Sequence, residues 1–178
     1  MPDFQATASV ELLKEFKGPD LHDLCDATEA AIEEGGGFGW LRVPERDVLE
    51  KHWKGVVLIP QRTLFVARLD GVICGSAQLY RQPSNNEAQA HAGHLSSFFI
   101  APWARGHGLA AQMVRAVEAE ARDCGLEVLN LDVRETQKAA INVYERCGFV
   151  RWGTQHTYAC VDGEWVAGHH YSKILIPH

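Results

Sequence analysis

The chain has 178 residues, of which 46% are hydrophobic and 22% charged, a composition that excludes the disordered, collagen-like and membrane classes. Its length fits a single domain spanning residues 1–178. The formal net charge of -6 argues against a nucleic-acid partner, because proteins that bind the phosphate backbone carry a basic surface.

The numbers and spacing of cysteines and histidines indicate the redox environment of the protein and whether it binds a metal ion. The five cysteines are odd in number and form no C-x-x-C pair, so we expect reduced thiols in a cytoplasmic protein. The nine histidines form no H-x-x-x-H or H-E-x-x-H pattern, which predicts no metal site. No secretory signal is visible at the start of the sequence, and no apolar run approaches the ~18 residues of a membrane span.

Periodicity and turn residues predict the elements in chain order. A helix over about 20–34 ends at three glycines, Pro44 opens a second helix, and a β-hairpin turns at Asp70-Gly71. The remaining elements are a strand at 94–100, a helix at 108–124 closed by Gly125, a strand at 128–133, a helix at 137–146, a strand at 157–161, a turn at Asp162-Gly163 and a strand at 169–176. Glu118 and Arg122 are predicted to form an exposed i,i+4 pair. This order predicts an α/β domain with a mixed sheet.

The most specific stretch of the sequence joins the strand that ends at Ile100 to the helix that follows it. The connection contains Pro102 and then the turn Arg105-Gly106-His107-Gly108-Leu109-Ala110. Backbone N–H groups at a helix start lack intrahelical partners, and the helix dipole is positive there. The turn is therefore predicted to bind an anion such as phosphate or pyrophosphate.

Two fingerprints match this turn. Gly106-x-Gly108-x-x-Ala111 fits the dinucleotide pattern, and Asp132 stands near the expected place of a ribose-binding acid. However, residues 101–105 separate the strand from the first glycine, and no further β-α units follow Asp132. A nicotinamide cofactor is therefore the less favoured interpretation.

The second fingerprint uses more of the chain. Arg105-x-x-Gly108-x-Ala110 fits the pattern [Q/R]-x-x-G-x-[G/A], with Pro102 before it and Tyr144-x-x-x-Gly148-Phe149 after it. On these residues the chain resembles the Gcn5-related N-acetyltransferase (GNAT) superfamily, in register from about residue 94 to 149. The resemblance implies a single-domain GNAT fold, in which a twisted mixed sheet has two splayed central strands and flanking helices.

The resemblance also implies acetyl-CoA as the co-substrate, with no metal. In the family, the first splayed strand pairs with the pantetheine amides and the glycine turn holds the pyrophosphate. The residues at these positions are Phe98, Phe99 and Ile100 on the strand and Arg105, Gly106, His107, Gly108, Leu109, Ala110 and Ala111 on the turn. Gln137 stands where the family usually has a cofactor-contacting Asn, and it adds a methylene.

Three residues are candidates for the proton transfers. Acyl transfer to an amine needs a proton acceptor, because most amines are protonated at neutral pH. Asp132, at the end of the second splayed strand, is the first candidate, and its alternative role is a cap or a surface pair with Arg134. His94 is the second candidate, since an imidazole works near neutral pH and some relatives carry a catalytic glutamate there. Tyr144 matches the family tyrosine that protonates the CoA thiolate.

The implied activity is direct transfer of an acetyl group to a primary amine of a small-molecule or amino-acid-like acceptor. The alternatives are a protein N-terminal or lysine acetyltransferase and a non-catalytic acyl-CoA sensor. A glycine stretch at 35–39 and the tail at 158–163 resemble the bacterial tabtoxin-resistance-like branch. Glu33 and Glu34 have two interpretations: they attract the ammonium group of an acceptor, or they form a run of charges exposed to solvent. The resemblance to the family also suggests a homodimer.

Overall fold

One seven-stranded sheet forms the centre of the protein. The computed structural model describes residues 5–36 and 39–176, and its strand order is β1-β2-β3-β4-β5-β7-β6. The strands are β1 (Ala8–Leu13), β2 (Arg62–Leu69), β3 (Val72–Arg81), β4 (Ala92–Ile100), β5 (Val128–Arg134), β6 (Val150–Val161) and β7 (Glu164–Ile174), and the helices are α1 (Asp20–Glu33), α2 (Arg46–Val56), α3 (Leu109–Asp123) and α4 (Lys138–Arg146). Only the β4–β5 pair is parallel among these described strands, which confirms the predicted α/β class with a mixed sheet.

Helices cover both faces of the sheet, each over its own hydrophobic cluster. Leu109, Met113 and Val117 pack α3 against one face. On the other face, Leu24 and Trp53 bring α1 and α2 onto the sheet. The fully buried Trp53 indole donates a hydrogen bond of 3.1 Å to the Thr28 hydroxyl, so the two helices are held together and Trp53 is a core residue.

The predicted turns are confirmed by the backbone. Asp70-Gly71 and Asp162-Gly163 both have positive φ at each residue, as a two-residue hairpin turn requires. Gly125, also at positive φ, follows the C-cap of α3, and its N–H donates to the Arg122 carbonyl. These glycines end their elements where the sequence predicts.

Three predicted details differ from the structure, and one strand lies where no element is predicted. Strand β1 was not predicted, because it is a half-exposed edge strand that gains its hydrogen bonds from β2 alone. The last hairpin is longer than predicted, since β6 pairs with β7 from Val150 onward. Pro44 lies before Glu45, the N-cap of α2, rather than inside that helix. Glu118 does pair with Arg122, at 3.5 Å, but it is buried rather than exposed, and Lys173 on β7 also contacts it at 2.7 Å.

No helix in the described part of the chain is long and apolar enough to cross a membrane. Gly37 and Phe38, from the glycine stretch that resembles the tabtoxin-resistance-like branch, lie outside the described residues, as do residues 1–4.

Candidate active site

The glycine turn presents the start of α3 to a cavity. Gly106 and Gly108 both have positive φ, and Gly108 is the N-cap of the helix. A side chain would be strained at both positions. The first intrahelical bond runs from the Gln112 N–H to the Gly108 carbonyl at 3.2 Å, so the earlier amides of the turn are oriented as a helix-start anion site requires.

This first cavity, the donor cavity, has a volume of about 240 Å³. It brings together most of the residues predicted to bind the cofactor. Those lining it are Phe98, Phe99, Ile100, Arg105, Gly106, Gly108, Leu109, Ala110 and Gln137, joined by Ala31, Gly36, Ala104, Ala139, Ala140 and Val143, which sequence reasoning missed. Of the other predicted binding residues, Ala111 and the exposed His107 do not line it, and Tyr144 lines the neighbouring cavity.

The two central strands separate beside this cavity. Strands β4 and β5 pair over three residue pairs, ending at His94 and Asn130. Beyond that point β4 is irregular, with Ser97 at positive φ, and its last residues line the donor cavity without a pairing to β5. The predicted splay between the central strands is therefore present.

The C-terminal end of α1 is tied to both sides of the donor cavity. The Arg105 guanidinium pairs with both carboxylate oxygens of Glu34, at 2.6 Å for one of the two contacts. The Gln137 side-chain amide donates to the Gly35 carbonyl at 2.9 Å. Glu34 is therefore neither a free solvated charge nor positioned at the acceptor site, and Gln137 holds the backbone that borders the cavity.

A second cavity of about 450 Å³, the acceptor cavity, lies on the other side of the splay. It shares Phe98, Gln137 and Ala140 with the donor cavity, so the two spaces adjoin. It contains all three predicted catalytic residues. They line it together with Ser96, Ser97, Arg134, Tyr158 and Cys160, among others.

Three of the lining side chains are joined through Asp132. His94 Nε2 lies 2.9 Å from Asp132 Oδ1, and the Tyr158 hydroxyl donates to Asp132 Oδ2. The bond from His94 and, to a smaller extent, the bond from Tyr158 together lower the pKa of Asp132 to about 2, against the opposing effect of burial. Asp132 is therefore ionised at neutral pH, and each of its carboxylate oxygens has a partner among the residues that line the cavity.

Tyr144 is buried at the boundary between the cavities, with 4% of its surface exposed. Its ring packs against Phe98 and Phe149, with centroids 5.3 and 6.0 Å away. Burial, with smaller contributions from Asp132 and Tyr158, raises the pKa of its hydroxyl well above the ordinary value. Tyr144 is thus held in the protonated form that a proton donor requires.

Tyr158 is the residue of this site that sequence reasoning missed. The sequence placed it in the last hairpin only as part of the branch-like tail, and the available signal was Gly168, against which its ring packs. The described residues contain no group of three or more histidine, cysteine, aspartate or glutamate side chains placed to hold a metal ion.

Comparison with known proteins agrees with this geometry. A sequence model of the Acetyltransferase (GNAT) family matches residues 22–149. An N-acetyltransferase encoded in the hisH-hisA intergenic region of Azospirillum brasilense, itself uncharacterized, is 59% identical over 130 residues, which cover 73% of this chain and 77% of that protein. The chain belongs to the Acetyltransferase (GNAT) family, and the predicted enzyme class, an N-acetyltransferase, is confirmed.

Solved structures share the fold at low sequence identity. An N-acetyltransferase from Staphylococcus aureus Mu50 superposes with a TM-score of 0.80, at 19% identity over 96% of this chain and 99% of that one. The yncA protein of Salmonella typhimurium, solved with its cofactor acetyl-CoA, has a TM-score of 0.77 at 18% identity over 96% and 95% of the two chains. The GNAT fold is therefore confirmed, while the tabtoxin-resistance-like branch stays a prediction.

Proposed function

We propose that this protein transfers the acetyl group of acetyl-CoA directly to the primary amine of a small, amino-acid-like acceptor. The observation that carries the proposal is the meeting of two cavities at the splayed strands. One has the helix-start anion site, and the other has His94 bonded to Asp132. The yncA protein, which shares the fold, was solved with acetyl-CoA, and this supports the same donor here.

The donor cavity fits the chemistry of acetyl-CoA. The pyrophosphate would bind the amides of the glycine turn, because α3 begins there and both turn glycines leave the backbone accessible. The β4 backbone at Phe98, Phe99 and Ile100 would pair with the pantetheine amides. Acetyl-CoA supplies the activated acyl thioester, and the protein supplies orientation and proton transfer.

His94 is the better proton acceptor of the two candidate bases. Asp132, with its pKa at about 2, holds a proton too weakly to serve as a base at neutral pH. It instead accepts a hydrogen bond from His94 Nε2, which leaves Nδ1 as the nitrogen that takes the proton of the acceptor amine. Asp132 thus orients the imidazole.

Tyr144 is proposed to hydrogen-bond the sulfur that leaves. As the new N–C bond forms and the C–S bond breaks, the proton of the amine passes to His94 and the departing thiolate accepts a hydrogen bond from the Tyr144 hydroxyl, which keeps its proton. The protonated, buried phenol at the boundary of the two cavities suits this role.

The lining of the acceptor cavity favours a neutral or zwitterionic amine. Asp132 is the only carboxylate among the described residues that line it, and Arg134 adds one positive charge. A polycation would find little negative charge in such a space. The volume of about 450 Å³ suits a small molecule.

A thiol-release assay with acetyl-CoA over panels of amino acids, simple amines and peptides tests the proposal. We expect release above background hydrolysis with members of the amino-acid panel. Release with peptides alone would favour the protein acetyltransferase alternative. Tight binding of CoA without release in any panel would favour a sensor and overturn the enzymatic proposal.

A further inference from the structure

We propose that Tyr158 is a positioning residue of the transfer reaction: it holds the Asp132 carboxylate in the orientation that binds His94. This inference rests on the proposed function, since it concerns the same base. Tyr158 acts through Asp132 and needs no contact with either substrate. Two features of the last hairpin and one of the Asp132 carboxylate support this role.

The first feature is an irregularity in β6 that carries Tyr158 out of the regular ladder. Gln155 pairs with Gly168, and Ala159 pairs with Val166. Between these two pairs β6 has three residues, 156–158, where β7 has only residue 167. Such a bulge redirects side chains and is frequent beside active sites. It places Tyr158 next to Asp132, whereas its neighbours His156 and Thr157 are exposed.

The second feature is the surface on which the Tyr158 ring lies. A Cβ atom at Gly168 would overlap the ring, so the ring occupies the space that any larger residue would fill. The His170 ring stands edge-on to it, with centroids 6.1 Å apart. The glycine and His170 together restrict the orientation of the phenol, and its hydroxyl is directed at Asp132.

The third feature is that the two carboxylate oxygens of Asp132 have different partners. Oδ1 contacts His94 Nε2 at 2.9 Å, and Oδ2 accepts the bond from Tyr158. With a fixed partner on each oxygen, the carboxylate cannot rotate freely, and the imidazole keeps one orientation. Other charged and titratable groups surround this carboxylate. His170 helps to lower the pKa of Asp132, and Arg134 acts to lower the pKa of Tyr158. Asp132 and Tyr158 both contribute to the raised pKa of Tyr144.

The Tyr158 hydroxyl affects catalysis through the charge and through the orientation of the Asp132 carboxylate. The Tyr158 hydroxyl partly compensates the charge of Asp132, and without it that charge would act more strongly on the protonated imidazole. Loss of the hydroxyl also frees the carboxylate to rotate, which lowers the fraction of correctly oriented imidazole.

Tyr158→Phe tests this directly, because it keeps the ring on Gly168 and removes only the hydroxyl. We expect kcat to fall about tenfold, with KM for acetyl-CoA unchanged within twofold. The pH profile of kcat/KM should also change, because the charge of Asp132 that faces the base is no longer partly compensated by the Tyr158 hydroxyl. The matched control is Tyr80→Phe. Tyr80 lies opposite His94 on the neighbouring strand β3, and loss of its hydroxyl should leave the pH profile unchanged.

A double-mutant cycle separates positioning from a merely structural role. In an Asp132→Asn background the Tyr158→Phe change should cost almost nothing more, because its effect passes through the carboxylate. The ¹⁵N NMR spectrum of the histidine rings gives a readout without substrate. The His94 Nε2–H signal, assigned by its loss in His94→Gln, should broaden or shift in Tyr158→Phe and persist in Tyr80→Phe.

The two proposals fail in different ways. An inactive wild-type protein would remove the proposed function, and the NMR comparison would still test the Tyr158 contact. An active wild-type protein whose Tyr158→Phe variant keeps both the pH profile and the His94 signal would overturn the inference about Tyr158. Full additivity of the two changes in the cycle would overturn it as well.

Discussion

Glu34 and Arg105 form a two-point ion pair between the C-terminal end of α1 and the turn that precedes α3. Both side chains are close to half exposed, at 42% and 47%, so the pair contributes little to the stability of the fold. Its significance lies in its place. Glu34 holds a cation of the proposed pyrophosphate site, and its negative charge borders that site.

Glu34→Gln should therefore tighten CoA binding. Removal of the competing carboxylate frees Arg105 for the phosphates, and we expect Kd to fall about two- to fivefold, which corresponds to a surface ion pair of up to about 1 kcal/mol. Isothermal titration calorimetry at low salt measures the change, which should fade at high salt. Glu33→Gln, one residue earlier and exposed, is the control. Weaker binding in Glu34→Gln would show instead that the pair supports the site.

His94→Gln should remove the proposed base. We expect kcat/KM for the acceptor to fall about 10²- to 10³-fold, while CoA affinity stays within twofold because His94 lies in the other cavity. Asp132→Asn should also lower kcat, since the imidazole loses its partner. A larger loss in Asp132→Asn than in His94→Gln would make Asp132 the base and His94 its partner.

Tyr144→Phe tests the hydrogen-bond donor to the leaving sulfur and also the sensor alternative. The ring packing on Phe98 and Phe149 survives this change, so the protein should fold and bind CoA normally. We expect kcat to fall about 10- to 100-fold in steady-state assays. Unchanged turnover with the best acceptor would exclude the Tyr144 hydroxyl as the hydrogen-bond donor to the leaving sulfur.

The depressed pKa of Asp132 predicts a pH dependence of stability. The folded-state pKa of about 2 lies below the ordinary 3.8, so the ionised carboxylate stabilises the fold above about pH 4. That contribution is lost as the pH falls from 4 toward 2. It should amount to about 1–2 kcal/mol once solvent screening is included.

Urea unfolding between pH 5 and pH 3 measures the onset of this loss. Asp132→Asn should flatten the decline of the unfolding free energy with falling pH, and His94→Gln should flatten it in part, because His94 is the largest cause of the shift. Parallel declines in the wild type and in Asp132→Asn would contradict the assignment.

Local sequence explains most of the donor cavity. Phe98, Arg105 and Gly108 belong to one strand–turn–helix segment, so their spacing along the chain already sets their spacing in space. Gln137 occupies its predicted place on the cavity, yet its bond to Gly35 joins residues 102 positions apart. No local pattern encodes such a contact, and the same holds for Glu34 and Arg105.

In the acceptor cavity, contacts between distant residues matter more than local sequence. His94 and Asp132 were both candidates from the sequence, and the structure brings them to 2.9 Å from each other. Their separate patterns could not tell which would be the base, because this depends on a bond formed across the splay. The position of Tyr158 beside Asp132 is not predictable from the sequence, because the irregularity of β6 that carries Tyr158 depends on the pairing with β7.

The sequence by itself determined the family, the turn before α3 and the identity of the candidate proton-transfer residues, because all of these are contained in short segments with fixed geometry. Tertiary structure alone decided which side chains share Asp132, how α1 is tied to the glycine turn and where the two cavities meet. These relationships are set by strand splay, sheet pairing and packing between distant segments. Each of these is a property of the assembled fold that no single stretch of the chain contains.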